Sequence, residues 1–98
     1  MLFNTLPDYT PCVGEGFELD LGEASHSLTL IEAIPLAVRP YPGMVRPPFS
    51  LKFRSASQVV LPQRIYVMKT VQWAKPCGLF ISPIGRDVGG VIYQAVFN

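Results

Sequence analysis

The sequence predicts an all-β domain, a small six-stranded antiparallel barrel, partly closed, or a sandwich, with a short N-terminal helical turn. Three observations carry this. Apolar and polar residues alternate with period two in several short runs, the pattern of a strand with one buried face. Ten prolines and eight glycines punctuate 98 residues, which favours many turns and few helices. The last residues, Gly78 to Asn98, read as a hairpin whose second strand docks in a sheet. At this length the chain is one domain, residues 1–98.

The opening Phe3–Tyr9 reads as the helical turn, with Thr5 as N-cap and Asp8 three residues on, near the free N–H groups of the first turn. Pro11 stops its extension, and Gly14 and Gly16 lead out of it. Strand one is predicted at Phe17–Leu21, where Phe17, Leu19 and Leu21 alternate with Glu18 and Asp20. Residues 22–26 form a turn that leaves His26 in solvent, and strand two follows at Ser27–Ile34 with Leu28 and Leu30 inward.

Residues 35–48 hold five of the prolines and read as a long exposed loop, because each proline removes a ladder donor. No P-x-x-P spacing supports polyproline docking there. Arg39, Tyr41, Met44 and Arg46 are nevertheless residue types enriched in contact surfaces. Strand three is Phe49–Ser55, with Phe49, Leu51 and Phe53 opposite Ser50, Lys52 and Arg54.

Strand four is Arg64–Val71, and neither of its faces is polar: Ile65 and Val67 alternate with Tyr66 and Met68. Such a strand is covered on both sides or lies in an interface. Trp73 falls in the next loop. Strands five, Leu79–Pro83, and six, Val91–Phe97, flank a glycine-rich connection, Ile84–Gly90. A barrel is preferred to an open sheet, which would leave strand six as a flat apolar edge. Bringing the N-terminal strand beside the C-terminal one removes that edge.

Charge is unevenly laid out. Residues 1–34 contain six acids and no Lys or Arg, whereas residues 35–98 contain eight bases and one acid, for a net +1. Near-neutrality gives no bulk attraction to nucleic acid or membrane. The split predicts neutralisation within the fold, Glu18 and Asp20 on strand one opposing Lys52 and Arg54 on strand three.

Motifs for chemistry are sparse. Cys12, His26 and Cys77 lack the regular spacing of a zinc site. His26 lies between two serines, but no G-x-S-x-G accompanies it. Glu18 and Asp20 share a strand face at a glycosidase-like separation, yet that face reads as solvated. No phosphate-binding glycine motif occurs. With no catalytic, metal or cofactor residues to assign, the expectation is a non-enzyme without cofactors. No run matches a signal peptide or a membrane span, which favours a cytoplasmic protein with reduced thiols. A Cys12–Cys77 bridge stays open, since sequence does not place the two Cβ atoms.

Four ordered motifs remain: Phe49-Ser50-Leu51-Lys52-Phe53-Arg54, Leu61-Pro62-Gln63-Arg64-Ile65-Tyr66, Leu79-Phe80-Ile81-Ser82-Pro83-Ile84-Gly85 and the terminal Tyr93-Gln94-Ala95-Val96-Phe97-Asn98. Over residues 14–98 the chain resembles a family of short all-β bacterial proteins known only as a domain of unknown function. That family carries no assigned catalytic residue, so the resemblance implies none here. Its loose association with phage-tail-collar-like proteins implies a structural role in a virion-like or surface assembly.

The functional expectation is a structural or protein-interaction module, oligomeric or a subunit of a larger assembly. Its candidate contact residues are Arg39, Tyr41, Met44, Arg46, Ile65, Val67 and Trp73. A small-ligand-binding barrel is the first alternative. A single-strand nucleic-acid binder is the second, resting on Lys52, Arg54, Arg64, Lys69 and Lys75 interleaved with Phe53, Tyr66 and Trp73. Against the second, Phe53 should face the core and net charge is near zero.

Overall fold

The computed structural model describes residues 5–22, 24–36, 48–71, 73 and 75–97. The chain begins there with two consecutive 3-10 turns, Leu6–Asp8 and Thr10–Cys12. Thr5 is extended, with φ −127° and ψ 154°, as an N-cap should be. The Asp8 carboxylate accepts the Thr5 N–H at 3.0 Å and the Thr5 hydroxyl at 2.7 Å. Pro7 and Pro11 each sit in the first positions of a turn, where a missing N–H costs nothing. Tyr9 and Cys12, brought inward by the two turns, are buried.

Six strands follow: β1 Gly16–Asp20, β2 Ser25–Pro35, β3 Phe49–Ser55, β4 Arg64–Lys69, β5 Cys77–Asp87 and β6 Gly90–Phe97. They close into an antiparallel barrel in the order β1-β2-β3-β6-β5-β4. Two strands are long and serve both sides of the barrel. The first half of β2 pairs with β1 and the second half with β3, with a register shift between Leu30 and Glu32. The first half of β5 pairs with β4 and the second half with β6, with a shift between Pro83 and Gly85. A bulge bends a strand and sharpens its twist, so these two shifts make the corners at which the sheet turns onto itself.

Three expectations change here. The ring is sealed by β1 against β4, with Leu19 opposite Met68, and not by the first strand beside the last; β6 is flanked by β3 and β5. Strand five runs on through Asp87, because Pro83 and Gly85 fall at the bulge, where a lost donor is tolerated. The expected seven-residue connection shrinks to a Val88-Gly89 turn, held by the Gly89 N–H donating to Asp87 Oδ1 at 2.8 Å. Gly90 next to it has φ +133°, and a Cβ there would lie 1.8 Å from the Ser55 carbonyl oxygen. Finally, β2 starts at Ser25, so His26 lies in a strand and is half-buried, with Nε2 2.8 Å from Ser55 Oγ.

Inside the barrel the inward residues of all six strands form one core, including Phe17, Leu30, Phe53, Met68, Ile81 and Tyr93. Phe17 meets Phe53 edge-on at 5.4 Å and Trp73 edge-on at 5.1 Å. Tyr9, carried by the 3-10 turns, meets Trp73 at 5.8 Å and Phe97 at 5.5 Å. These tilted geometries suit aromatic quadrupoles. Tyr93 is fully buried, and its hydroxyl accepts the Leu61 N–H at 2.9 Å. Cys12 and Cys77 are free thiols; burial, then the nearby Glu15 charge, pushes the Cys12 thiol up from its usual range. Among the described residues, no helix is long and apolar enough to cross a membrane.

Candidate interaction surface

Strand four has one face in the core and one in water. Tyr66 and Met68 point inward and are buried, whereas Ile65 and Val67 are 67% and 49% exposed. The neighbouring β5 repeats the arrangement: Leu79 and Ile81 are buried and Phe80 is 52% exposed. Cross-strand register sets Ile65 opposite Phe80 and Val67 opposite Gly78. On the other side of β4, Val67 stands opposite Asp20. The result is a compact apolar cluster on a regular sheet, in which Ile65 Cγ2 leans over Gly78, 3.3 Å from where a Cβ there would stand. Lys69 ends the outward row of β4, whereas Arg64, at the strand's start, shares the side of Tyr66 and sets its guanidinium 5.3 Å from that ring's centroid.

Of the seven expected contact residues, Ile65 and Val67 are brought together on this face. Trp73 is not with them: it is only 8% exposed and forms part of the core. The barrel end needs a large apolar lid, and Trp73 supplies it between Phe17 and Tyr9. As placed, it cannot stack on a nucleotide base. Arg39, Tyr41, Met44 and Arg46 lie outside the described residues. Sequence reasoning missed Phe80, although its alternation with Leu79 and Ile81 carried the signal.

Charge is balanced by other pairs than expected. Glu18 and Asp20 do not oppose Lys52 and Arg54, because β1 lies between β2 and β4 and never touches β3. Glu18 instead pairs with Lys69 at 3.6 Å, and Glu32 with Lys52 at 3.4 Å. Asp20 Oδ1 accepts the Gly22 N–H at 2.8 Å. Arg54 donates to Asp87, Nε to Oδ1 at 3.1 Å. This contact holds the Asp87 carboxyl below the usual range and raises the Arg54 guanidinium. Two acids of the N-terminal third, Glu18 and Glu32, thus meet bases of the remainder within the fold, through other strands than expected.

Two shallow depressions flank the Glu18–Lys69 pair at the β1–β4 seam, about 400 Å³ and 420 Å³ in volume. One is lined by Leu19, Asp20, Ala24 and Pro76, the other by Phe17, Ser27, Thr70 and Val71. The described residues contain no group of three or more His, Cys, Asp or Glu able to hold a metal ion. Ser55, the partner of His26, is buried and also accepts the Ser57 N–H at 3.2 Å, so the contact ties β2 to the end of β3.

A family model described as "Domain of unknown function (DUF6916)" matches residues 4–97, and the chain belongs to this family. The match takes in the N-terminal 3-10 turns as well as the stretch from residue 14 that carries the four motifs. Comparison with curated proteins and with solved structures gives no match.

Proposed function

We propose that this member of the DUF6916 family is a non-enzymatic protein-interaction module that docks through the outer face of β4 and β5. One observation carries the reading: Ile65, Val67 and Phe80 stand together, each about half exposed or more, on a regular sheet. Apolar side chains scattered singly over a surface need no explanation, but a contiguous group does. Burying such a cluster against a partner would recover roughly 25 cal/mol for each Å² of apolar surface removed from water. The partner is a protein, either a second copy or a component of a larger assembly, a phage-tail-like one being the assembly that the family resemblance implies. The face contains a bulky aromatic ring, the anchor type that dominates interface energetics.

The test is light scattering after size exclusion, followed by a pull-down from the native host. Wild type should self-associate or capture a specific protein, and Ile65→Lys should do neither while remaining folded. A monomer that captures nothing specific overturns the reading. A small-ligand function is the second reading, favoured by the two seam depressions, whose volumes fall in the range of ligand sites, about 300–1,000 Å³. A thermal shift with a small molecule, lost on substitution of Lys69, would promote it.

A further inference from the structure

The backbone of β5 is as informative as its side chains. In an antiparallel ladder, alternate residues direct N–H and C=O to opposite neighbours. Leu30, inward on β2, sends both groups to the segment leading into β1: its N–H donates to Glu15 O at 3.2 Å and its O accepts the Gly14 N–H at 2.7 Å. Carried round the barrel through strands of alternating direction, the same parity turns the inward Leu79 and Ile81 of β5 toward β4. Gly78 and Phe80 therefore direct their N–H and C=O toward β6. Pairing with β6 begins only at Ser82 opposite Gln94. Among the described residues, Gly78–Phe80 thus has no ladder partner on its β6 side.

The second halves of both long strands are attended on their free sides. Beyond its pairing with β1, β2 meets the segment before that strand through Leu30 and Gly14. The second half of β5 meets the loop before β4 through Ser82 with Gln63 Oε1 at 2.8 Å and Arg86 with Gln58 Oε1 at 3.4 Å. Natural edges are also guarded by lysine, proline or inward charge. Cys77-Gly78-Leu79-Phe80-Ile81 contains none of these. An uncharged, apolar edge of this kind is an invitation to another strand.

The segment fits itself. Paired antiparallel about Leu79, it places Cys77 opposite Ile81 and Gly78 opposite Phe80, so each copy's ring lies over the other's glycine. Gly78 sits opposite Val67, and Ile65 Cγ2 already lies 3.3 Å from where a Cβ on it would stand, so the other copy's ring would pack over the glycine beside Ile65. An aromatic ring shielding a cross-strand glycine is a known stabilising device in sheets. We propose that two copies of this protein pair edge to edge along Cys77–Ile81 of β5, with Phe80 of each covering Gly78 of the other. Both Gly78–Phe80 pairs exchange N–H and C=O bonds across the two-fold axis, and Ile65, Val67 and Phe80 become one shared apolar surface. The proposal rests on the docking reading above and names its partner as a second copy.

Light scattering over a concentration series should give twice the 10.8 kDa monomer mass. Phe80→Lys points its charge into solvent in the monomer but onto the second copy in the dimer. It should raise the dimer dissociation constant at least about thirtyfold, the scale of an interface hot spot, with an unchanged far-ultraviolet spectrum. Val88→Lys, on the fully exposed turn at the other end of β5, should leave the dimer intact. Amide exchange by NMR gives a second readout: Gly78 and Phe80 should exchange slowly only as concentration rises, whereas Leu79 is protected throughout. A dimer that survives Phe80→Lys, or concentration-independent exchange at Gly78 and Phe80, overturns the pairing. A protein that stays monomeric to about millimolar concentration overturns it too. If that monomer captures a host protein and loses it on Ile65→Lys, the docking reading stands without self-pairing.

Discussion

Two outer faces of the same barrel are built on the same alternation and finished differently. On the β3–β6 side Lys52 and Arg54 are the part-exposed outward positions of β3, beside a buried Ser50, and the two cations meet Glu32 and Asp87. On the β4–β5 side the equivalent positions are Ile65, Val67 and Phe80, with charge confined to the rim at Asp20 and Lys69. Beneath both faces lies one continuous apolar core. The inner face of a strand therefore reports folding, and only the outer face reports what the strand meets. One face is completed by ion pairs; under the proposed function the other is completed by a protein.

The largest effects should ignore the distinction. Phe53→Ala, under the charged face, should cost about 3–5 kcal/mol, and Met68→Ala, under the apolar face, about 2–5 kcal/mol, both read by denaturant unfolding. If only one is destabilising, the core is not shared between the two sides. Gly90→Ala should follow at about 2–3 kcal/mol, since a Cβ would collide with the Ser55 carbonyl at a φ that disfavours side chains. Its failure to destabilise would mean that the turn does not seat β6 against β3.

Substitutions on the outer faces separate them. Ile65→Lys should change stability by no more than about 0.5 kcal/mol while abolishing association. Glu32→Gln, on the opposite side, should cost at most about 1 kcal/mol and leave association unchanged. The smallest effect concerns pH. Asp87 is held low by Arg54, so its contribution to stability is full above the unfolded carboxyl's range and lost as pH falls through the lowered folded value. Asp87→Asn should flatten this part of the acid limb in unfolding titrations between neutral pH and the acid transition. An unchanged limb would show that the Arg54 contact adds nothing to the charged face.

The strands most legible in the sequence were those with unbroken alternation. β3 coincides with its expected bounds, and β1, β4 and β6 lie within one or two residues of theirs. β5 was cut short because Pro83 and Gly85 look like breakers when read locally. In the fold they occupy a corner, where the ladder shifts register and the missing donor and side chain are assets. His26 was read as a turn residue for want of any sign that Ser55 would stand beside it. Of the site, Ile65 and Val67 were visible as the unexplained second face of a strand. Trp73 was misplaced because nothing near it in the chain says that a barrel end must be plugged.

The sequence by itself determined that the chain is all-β, which side chains face inward on the strands with clean alternation, such as Leu28 and Leu30 or Phe49, Leu51 and Phe53, and that one strand has no polar face. Alternation is a property of neighbouring residues, and it needs no knowledge of what lies across the sheet. Only the tertiary structure decided the neighbours: β1 against β4, Glu18 with Lys69, Arg54 with Asp87, and Phe80 beside Ile65. Strand order follows from closing the ring at two bulged corners, so it depends on contacts between residues far apart in the chain. A period-two pattern carries no label for its partner, because every strand with one apolar face fits the same core equally well.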